Sequence, residues 1–313
     1  MKAIDGKNTV GGEMAQAQGV NAALYQRFMM YLDAKPRTVE AYGKNLRAFF
    51  RWLVKHGVNA PRFEDVKRYR DELLSLYKPS TVTAYIFAVR RFFEWTESEG
   101  LYPNIAGRIK GATLSRDFKK DYLTSSQLKD VISRVSADDL RGQRDKAMIS
   151  LMAACGLRDI EVSRANVEDL RTAGDNTVLY LQGKGRDERA EFVIVPAAVE
   201  RVIREYIKER GEVGKAEPLF VSMSNNSKGE RMTTRSISGI VKAAMRAAGF
   251  DSERLTAHSL RHTAVTLALL GGATVQEAQQ FARHRNIATT QIYAHNLDAM
   301  KNPCSGLVAD SIF

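Results

Sequence analysis

Two stretches of this chain repeat one another at an offset of 43 residues, and the repeat constrains how its first third folds. Lys35-Pro36-Arg37-Thr38-Val39-Glu40-Ala41-Tyr42 matches Lys78-Pro79-Ser80-Thr81-Val82-Thr83-Ala84-Tyr85. The correspondence continues through Arg47 and Arg90, Phe49-Phe50 and Phe92-Phe93, Trp52 and Trp95, and Gly57 and Gly100. So many coincidences at one offset mean two copies of one structural unit. Each copy opens on proline followed by Ser/Thr and closes on glycine, which are helix start and stop signals. Tyr42, Leu46, Phe49, Phe50 and Leu53 recur every three or four residues and form one apolar face, as do Tyr85, Val89, Phe92, Phe93 and Trp95. Shorter helices are predicted around Ala22–Leu32 and Phe63–Leu76, giving a pair of helical hairpins. The opposite faces carry Lys44, Arg47 and Arg51 on the first copy and Arg90 and Arg91 on the second. They read either as solvated faces or as basic helices laid across duplex phosphates.

The domain organisation follows from composition. Residues 1–19 are rich in Gly, Ala, Gln and Asn and read as an N-terminal arm. The repeated unit spans 20–107. A basic stretch, 108–122, reads as a linker, and 123–313 as a second domain. There the strand-like runs Thr177–Leu181 and Glu191–Val195 flank a glycine-marked turn, Gly183-Lys184-Gly185, predicting a hairpin with lysine near its tip. Helical patterns occupy Ala147–Cys155, Ala197–Arg210, Thr234–Ala248 and His258–Leu270. The fold class is therefore mainly α: a four-helix N-terminal domain, then a mostly helical domain with a small antiparallel β-sheet.

The net charge of +11 favours a polyanionic partner, nucleic acid or an anionic membrane surface. No apolar stretch reaches the length of a membrane span, and no secretory signal is legible. The two cysteines, Cys155 and Cys304, make no disulfide framework, which fits a reducing cytoplasm.

Four of the five histidines lie in the last sixty residues. His258-Ser259-Leu260-Arg261-His262 is followed by Arg283-His284 and by Tyr293 and His295, while Gly156-Leu157-Arg158 and Glu161 lie upstream. Moving a phosphodiester onto a side chain needs charge neutralisation, proton removal from the nucleophile and proton donation to the leaving oxygen. Arginine's fork grips two phosphate oxygens without losing its charge. Histidine and lysine move protons, and tyrosine serves as a covalent nucleophile. A zinc hydrolase built on His258 and His262 is disfavoured, because Ser259 stands where that motif needs glutamate.

In this order the residues resemble the tyrosine recombinase (phage integrase) family, in its simple Xer-like or Cre-like form. The resemblance covers roughly residues 20 to 300 and rests on five boxes: Gly156-Leu157-Arg158 with Glu161, Gly183-Lys184-Gly185, His258 to His262, Arg283-His284, and Tyr293 nine residues later. It implies a SAM-like core-binding domain, a catalytic domain, and the two closing as a clamp around one DNA site. Arg158 and Arg261 would hold the scissile phosphate, and His284 would donate to a non-bridging oxygen. Lys184 would protonate the leaving 5′-hydroxyl, and His258 would assist proton removal from Tyr293, the nucleophile. Glu161 and His262 would support them. The product is a 3′-phosphotyrosine link, with no metal, ATP or other cofactor implied. The implied partner is double-stranded DNA with a specific recombination site, bound by a tetramer through exchange of the tail residues Leu307, Val308, Ile312 and Phe313. DNA relaxation in the manner of a type IB topoisomerase, or DNA binding without catalysis, are the alternatives. One position departs from the pattern. Arg283 stands where the family has glycine, which restricts the backbone or adds a phosphate contact.

Overall fold

The computed structural model describes residues 22–113, 121–182, 189, 191–301 and 303–312. The chain divides into two compact units on either side of Arg116.

In the first unit, four helices form a single core: α1 (Ala22–Tyr31), α2 (Pro36–Lys55), α3 (Phe63–Leu76) and α4 (Pro79–Ser98). The two repeat copies are α2 and α4. Each is 20 residues long and starts on its proline. Proline is tolerated there because its missing N–H would have no partner in the first turn. Phe28, Phe49, Phe50, Phe92 and Phe93 are fully buried. Phe50 meets Phe92 edge-to-face at 5.6 Å, which joins the two copies, and α1 adds Phe28 at 5.4 Å from Phe92. Such contacts contribute beyond the area they bury. From α3, Tyr69 packs on Phe49 at 5.0 Å, and Glu72 accepts a 2.7 Å hydrogen bond from the Trp52 indole.

The second unit is built around α6 (Leu140–Cys155), preceded by α5 (Ser125–Ser133). Every residue from Ala147 to Ala153 is buried, so this stretch of α6 lies in the core, with α8 (Ala197–Glu209) and α10 (Ala257–Leu270) among its neighbours. A short helix, α7 (Asp159–Arg164), follows it directly. The sheet has three antiparallel strands in sequence order: β1 (Leu170–Ala173), β2 (Asn176–Leu181) and β3 (Glu191–Ile194). Only β2 and β3 were predictable as strands. β1 is nearly all exposed and offers no alternating apolar pattern. Pairing Leu179 with Val193 and Tyr180 with Phe192 sets the register, so Leu179 and Val193 face the core and Phe192 faces out. The unit continues with α9 (Thr234–Ala247), α11 (Val275–Ala282), α12 (Ala288–Lys301) and α13 (Cys304–Ile312). No helix among the described residues is long and apolar enough to cross a membrane.

Both tryptophans, Trp52 and Trp95, lie in the first unit, so their fluorescence reports its unfolding alone. Phe92→Ala should destabilise that unit by about 3–5 kcal/mol, because a fully buried ring leaves a cavity behind. Urea titration of the full chain followed by tryptophan emission measures this. A circular-dichroism transition of the second unit should stay in place.

Candidate active site

Three helix ends and two helix faces build the site. α6 stops at Gly156, which is left-handed at φ 58°. A Cβ there would also lie 3.0 Å from the Phe281 ring, so glycine is required twice over. The turn that follows places Arg158 as the residue capping α7. Its own backbone N–H donates to Glu161 Oε2 at 2.8 Å and its Nη1 to Glu161 Oε1 at 2.6 Å. Glu161 is 1% exposed. Burial alone would raise its pKa, but Arg283, the Arg158 N–H and the Arg158 guanidinium together hold it below the usual carboxylate range.

His258, Arg261 and His262 share a face of α10 because they stand three and four residues apart. Arg261 is 1% exposed. Its fork donates to the Gly156 carbonyl at 2.6 Å and to the Ala282 carbonyl. Those carbonyls end α6 and α11, where the helix dipoles are negative, so two helix termini stand in for a counterion. Burial, with Arg158 and Arg283 nearby, lowers the Arg261 pKa to about 9, which leaves it charged at neutral pH.

α11 ends on Arg283 at φ 53°, the only non-glycine residue with positive φ among the described residues. The next residue, His284, returns its N–H to the Gln279 carbonyl, and Arg283 its own to Gln280. This is a Schellman-type cap whose left-handed position glycine normally takes. His284 shares a 2.9 Å hydrogen bond between its Nδ1 and Thr290 Oγ1. With the hydroxyl donating, the ring carries its proton on Nε2. Burial and then the charges of Arg261, Arg158 and Arg283 press its pKa down to about 4.

Tyr293 lies one turn beyond Thr290 on α12 and is buried. Its hydroxyl is hydrogen-bonded to His262 Nδ1. His258 meets His262 edge-on at 4.6 Å, and the His284 ring lies parallel to Tyr293 at 6.2 Å. Burial raises the phenol pKa to about 12, against the opposing pull of Arg261 and Arg158. The phenol is therefore neutral at physiological pH and needs a proton acceptor before it attacks.

Arg158, Glu161, His258, Arg261, His262, His284 and Tyr293 thus converge in one place. Lys184 lies outside the described residues. His262 hydrogen-bonds the phenol, and His258, to which the sequence reading gave proton removal, stands on the same helix face against the His262 ring. Thr290 went unremarked, although its position one turn before Tyr293 was legible. The Arg283 side chain turns inward, onto Glu161 at 3.0 Å, rather than outward. On the first unit Lys44, Arg51, Arg90 and Arg91 are exposed, with Arg91 paired to Glu94. Arg47 is half-buried and donates to the Tyr25 hydroxyl at 2.7 Å.

The arrangement matches known proteins along most of its length. Residues 121–300 match the model of the phage integrase family, and residues 25–100 that of the phage integrase N-terminal SAM-like domain. Tyrosine recombinase XerC of Pelobacter propionicus is 28% identical over 280 residues, covering 86% of this chain and 89% of the relative. Tyrosine recombinase XerD of Pseudomonas putida is 34% identical over 173 residues, covering 53% of this chain and 55% of the relative. Among solved structures, the fold resembles XerH site-specific recombinase bound to palindromic difH substrate in a post-cleavage complex. That likeness has a TM-score of 0.73 at 18% identity, covering 87% and 80% of the two chains. It also resembles a lambda integrase dimer bound to a COC' core site, with a TM-score of 0.68 at 14% identity, covering 85% and 96%.

The depressed His284 pKa has a consequence for stability. The unfolded chain takes up a proton at this residue near pH 6.5, while the folded site refuses it until about pH 4. Its contribution therefore falls as pH drops through that window. His284→Gln, which cannot ionise, should lose less stability between pH 7 and pH 5 than the wild type, measured by urea unfolding with circular dichroism.

Proposed function

The chain belongs to the phage integrase family of tyrosine recombinases, and from that premise we infer a site-specific DNA recombinase that cleaves and rejoins strands through Tyr293. The observation that carries the reading is the buried phenol hydrogen-bonded to an imidazole beside two inward-facing arginines. The Tyr293 oxygen attacks phosphorus, and the bond from phosphorus to the 5′ oxygen breaks. The phenol proton passes to His262 Nδ1, with His258 assisting from its edge-on position. Arg158 and Arg261 neutralise the charge gathering on the non-bridging oxygens, and His284 donates to one of them from Nε2. The leaving oxygen takes its proton from Lys184. The 3′-phosphotyrosine ester retains the energy of the broken bond, so a 5′-hydroxyl from another strand reverses the step without ATP. Neither metal nor cofactor is required by this sequence of transfers.

Phosphate arrival also changes the proton balance. An anion among these cations offsets the charges that hold the His284 pKa low, so the ring gains basicity as DNA enters. Lys44, Arg51 and Arg90 are the residues we assign to duplex phosphates, with Arg47 and Arg91 supporting them.

The supporting experiment is covalent capture. The protein is incubated with DNA from around its own gene, denatured in detergent, and the attached DNA is sequenced. Discrete adduct sites, lost in Tyr293→Phe while non-covalent binding persists, are expected. Scattered adducts would instead mark a topoisomerase. His262→Ala should slow adduct formation by about 100-fold or more, within the range for a lost proton acceptor, and His258→Ala by less.

Assembly extends the same reading. Leu307, Val308 and Ile312 on α13 are 63%, 55% and 67% exposed, too apolar to be left in water. Phe313 lies outside the described residues. The second unit also carries an apolar cleft of about 660 Å³ lined by Leu128, Ile132, Ala153, Val202, Leu267 and Phe281. We assign the cleft as the seat for α13 of a neighbouring copy in a tetramer on two DNA sites. Deleting residues 304–313 should abolish synapsis of two sites while single-site cleavage continues, as gel-shift and adduct assays would show. Leu267→Arg in the cleft should reproduce that defect.

A further inference from the structure

Arg283 adds a third guanidinium to a site that needs two. Its place in the backbone is unfavourable. Arg283 is in the left-handed region at φ 53°, where a Cβ is disfavoured relative to glycine. Its side chain is only 5% exposed, and its Nε is buried with no hydrogen-bond partner. A strained backbone and a buried charge persist together only where surrounding contacts hold them.

Those contacts are specific. Nη2 donates to Glu161 Oε2 at 3.0 Å and to the Gly156 carbonyl at 3.1 Å, and Nη1 to the Phe281 carbonyl at 2.7 Å. The Arg283 main-chain carbonyl lies 3.5 Å from Arg158 Nη2. Arg283 therefore touches the carboxylate that orients Arg158, the helix end that receives Arg261, and Arg158 itself. Without it, Glu161 would keep only its bonds to Arg158, and Gly156 only its bond to Arg261.

We propose that Arg283 is a positioning residue of the phosphate clamp, tying Glu161, the end of α6 and the Arg158 fork into one rigid arrangement before DNA arrives. It acts through Glu161 and Arg158, with both Nη atoms of its fork donating to protein acceptors. It also brings the cluster of Arg158, Arg261, Arg283 and Glu161 to a net charge of +2, where glycine at 283 would leave +1. The inference rests on the recombinase reading for its consequence in catalysis, but not for its consequence in the free protein.

Two measurements on Arg283→Gly and Arg283→Lys separate these levels. In the DNA-free protein, the histidine resonances are titrated by NMR. Arg283→Gly should move the His284 midpoint upward, and Arg283→Lys, which keeps the charge, should move it less. On cognate DNA, Arg283→Gly should form the covalent adduct at least about tenfold more slowly at saturating DNA, a cost typical of a displaced positioning group. Its affinity for the DNA should change less, and Arg283→Lys should restore part of the rate. Glycine suits φ 53°, so Arg283→Gly is not expected to misfold; its melting profile checks this, and the lysine variant supplies the comparison if it does. A wild-type His284 titration together with a wild-type adduct rate in Arg283→Gly would overturn the proposal. A shifted His284 midpoint with no adduct from any variant, wild type included, would uphold the positioning role and overturn the recombinase reading.

Discussion

One buried carboxylate holds the catalytic pocket together. Glu161 is almost fully enclosed, and it accepts from the Arg158 guanidinium, the Arg158 backbone and the Arg283 guanidinium. Three guanidiniums crowded together without a counter-charge would repel one another strongly in so dry a place. Glu161 offsets one of them, and the remainder of the solvation comes from main-chain carbonyls. Gly156 and Ala282 end two different helices, and both point their carbonyls at Arg261. The site thus uses helix termini where another carboxylate would have cancelled the charge. Partial charges stabilise a cation without neutralising it, so the pocket keeps a positive surplus. In the proposed function, a phosphodiester supplies the anion that this surplus calls for.

Tyr293 stays protonated beside that surplus. Burial holds the Tyr293 phenol protonated, with a pKa near 12, despite two arginines that favour its ionised form. Desolvation outweighs their pull. The proposed mechanism accordingly uses a proton acceptor in contact with the phenol rather than a standing phenolate. His262 is that contact. Burial and then the neighbouring arginines hold His284 neutral, and burial with Arg158 and Arg283 also presses the Arg261 pKa down without discharging it at neutral pH.

How much of this was legible in the sequence depended on range. The repeat was legible because identical aromatics at one offset leave little choice of structure. His258, Arg261 and His262 were legible as one face because helical spacing is local. Arg283 was not, since its partner Glu161 lies 122 residues away and a local reading of an arginine after a helix points it to solvent. β1 was missed for a different reason. Its residues are exposed, and it joins the sheet through main-chain pairing with β2, which leaves no mark in hydropathy. That His262 meets the Tyr293 phenol depended on where α12 comes to rest, a tertiary fact.

The repeat shows how near-identical helices acquire different surfaces. Gly43 in the first copy corresponds to Ile86 in the second. A Cβ at position 43 would lie 2.9 Å from the Tyr25 hydroxyl, so the glycine is what lets α1 seat Tyr25 there. That hydroxyl then accepts from Arg47 and draws its fork partly inward. Ile86 fills the equivalent space with its own side chain and is buried, so no tyrosine docks beside Arg90, which stays exposed. One small residue on a core-facing position thus decides whether the arginine one turn further along the helix is drawn inward. Sequence symmetry between Arg47 and Arg90 does not carry over to their availability for a phosphate, because the helix that closes the core contacts only one of them.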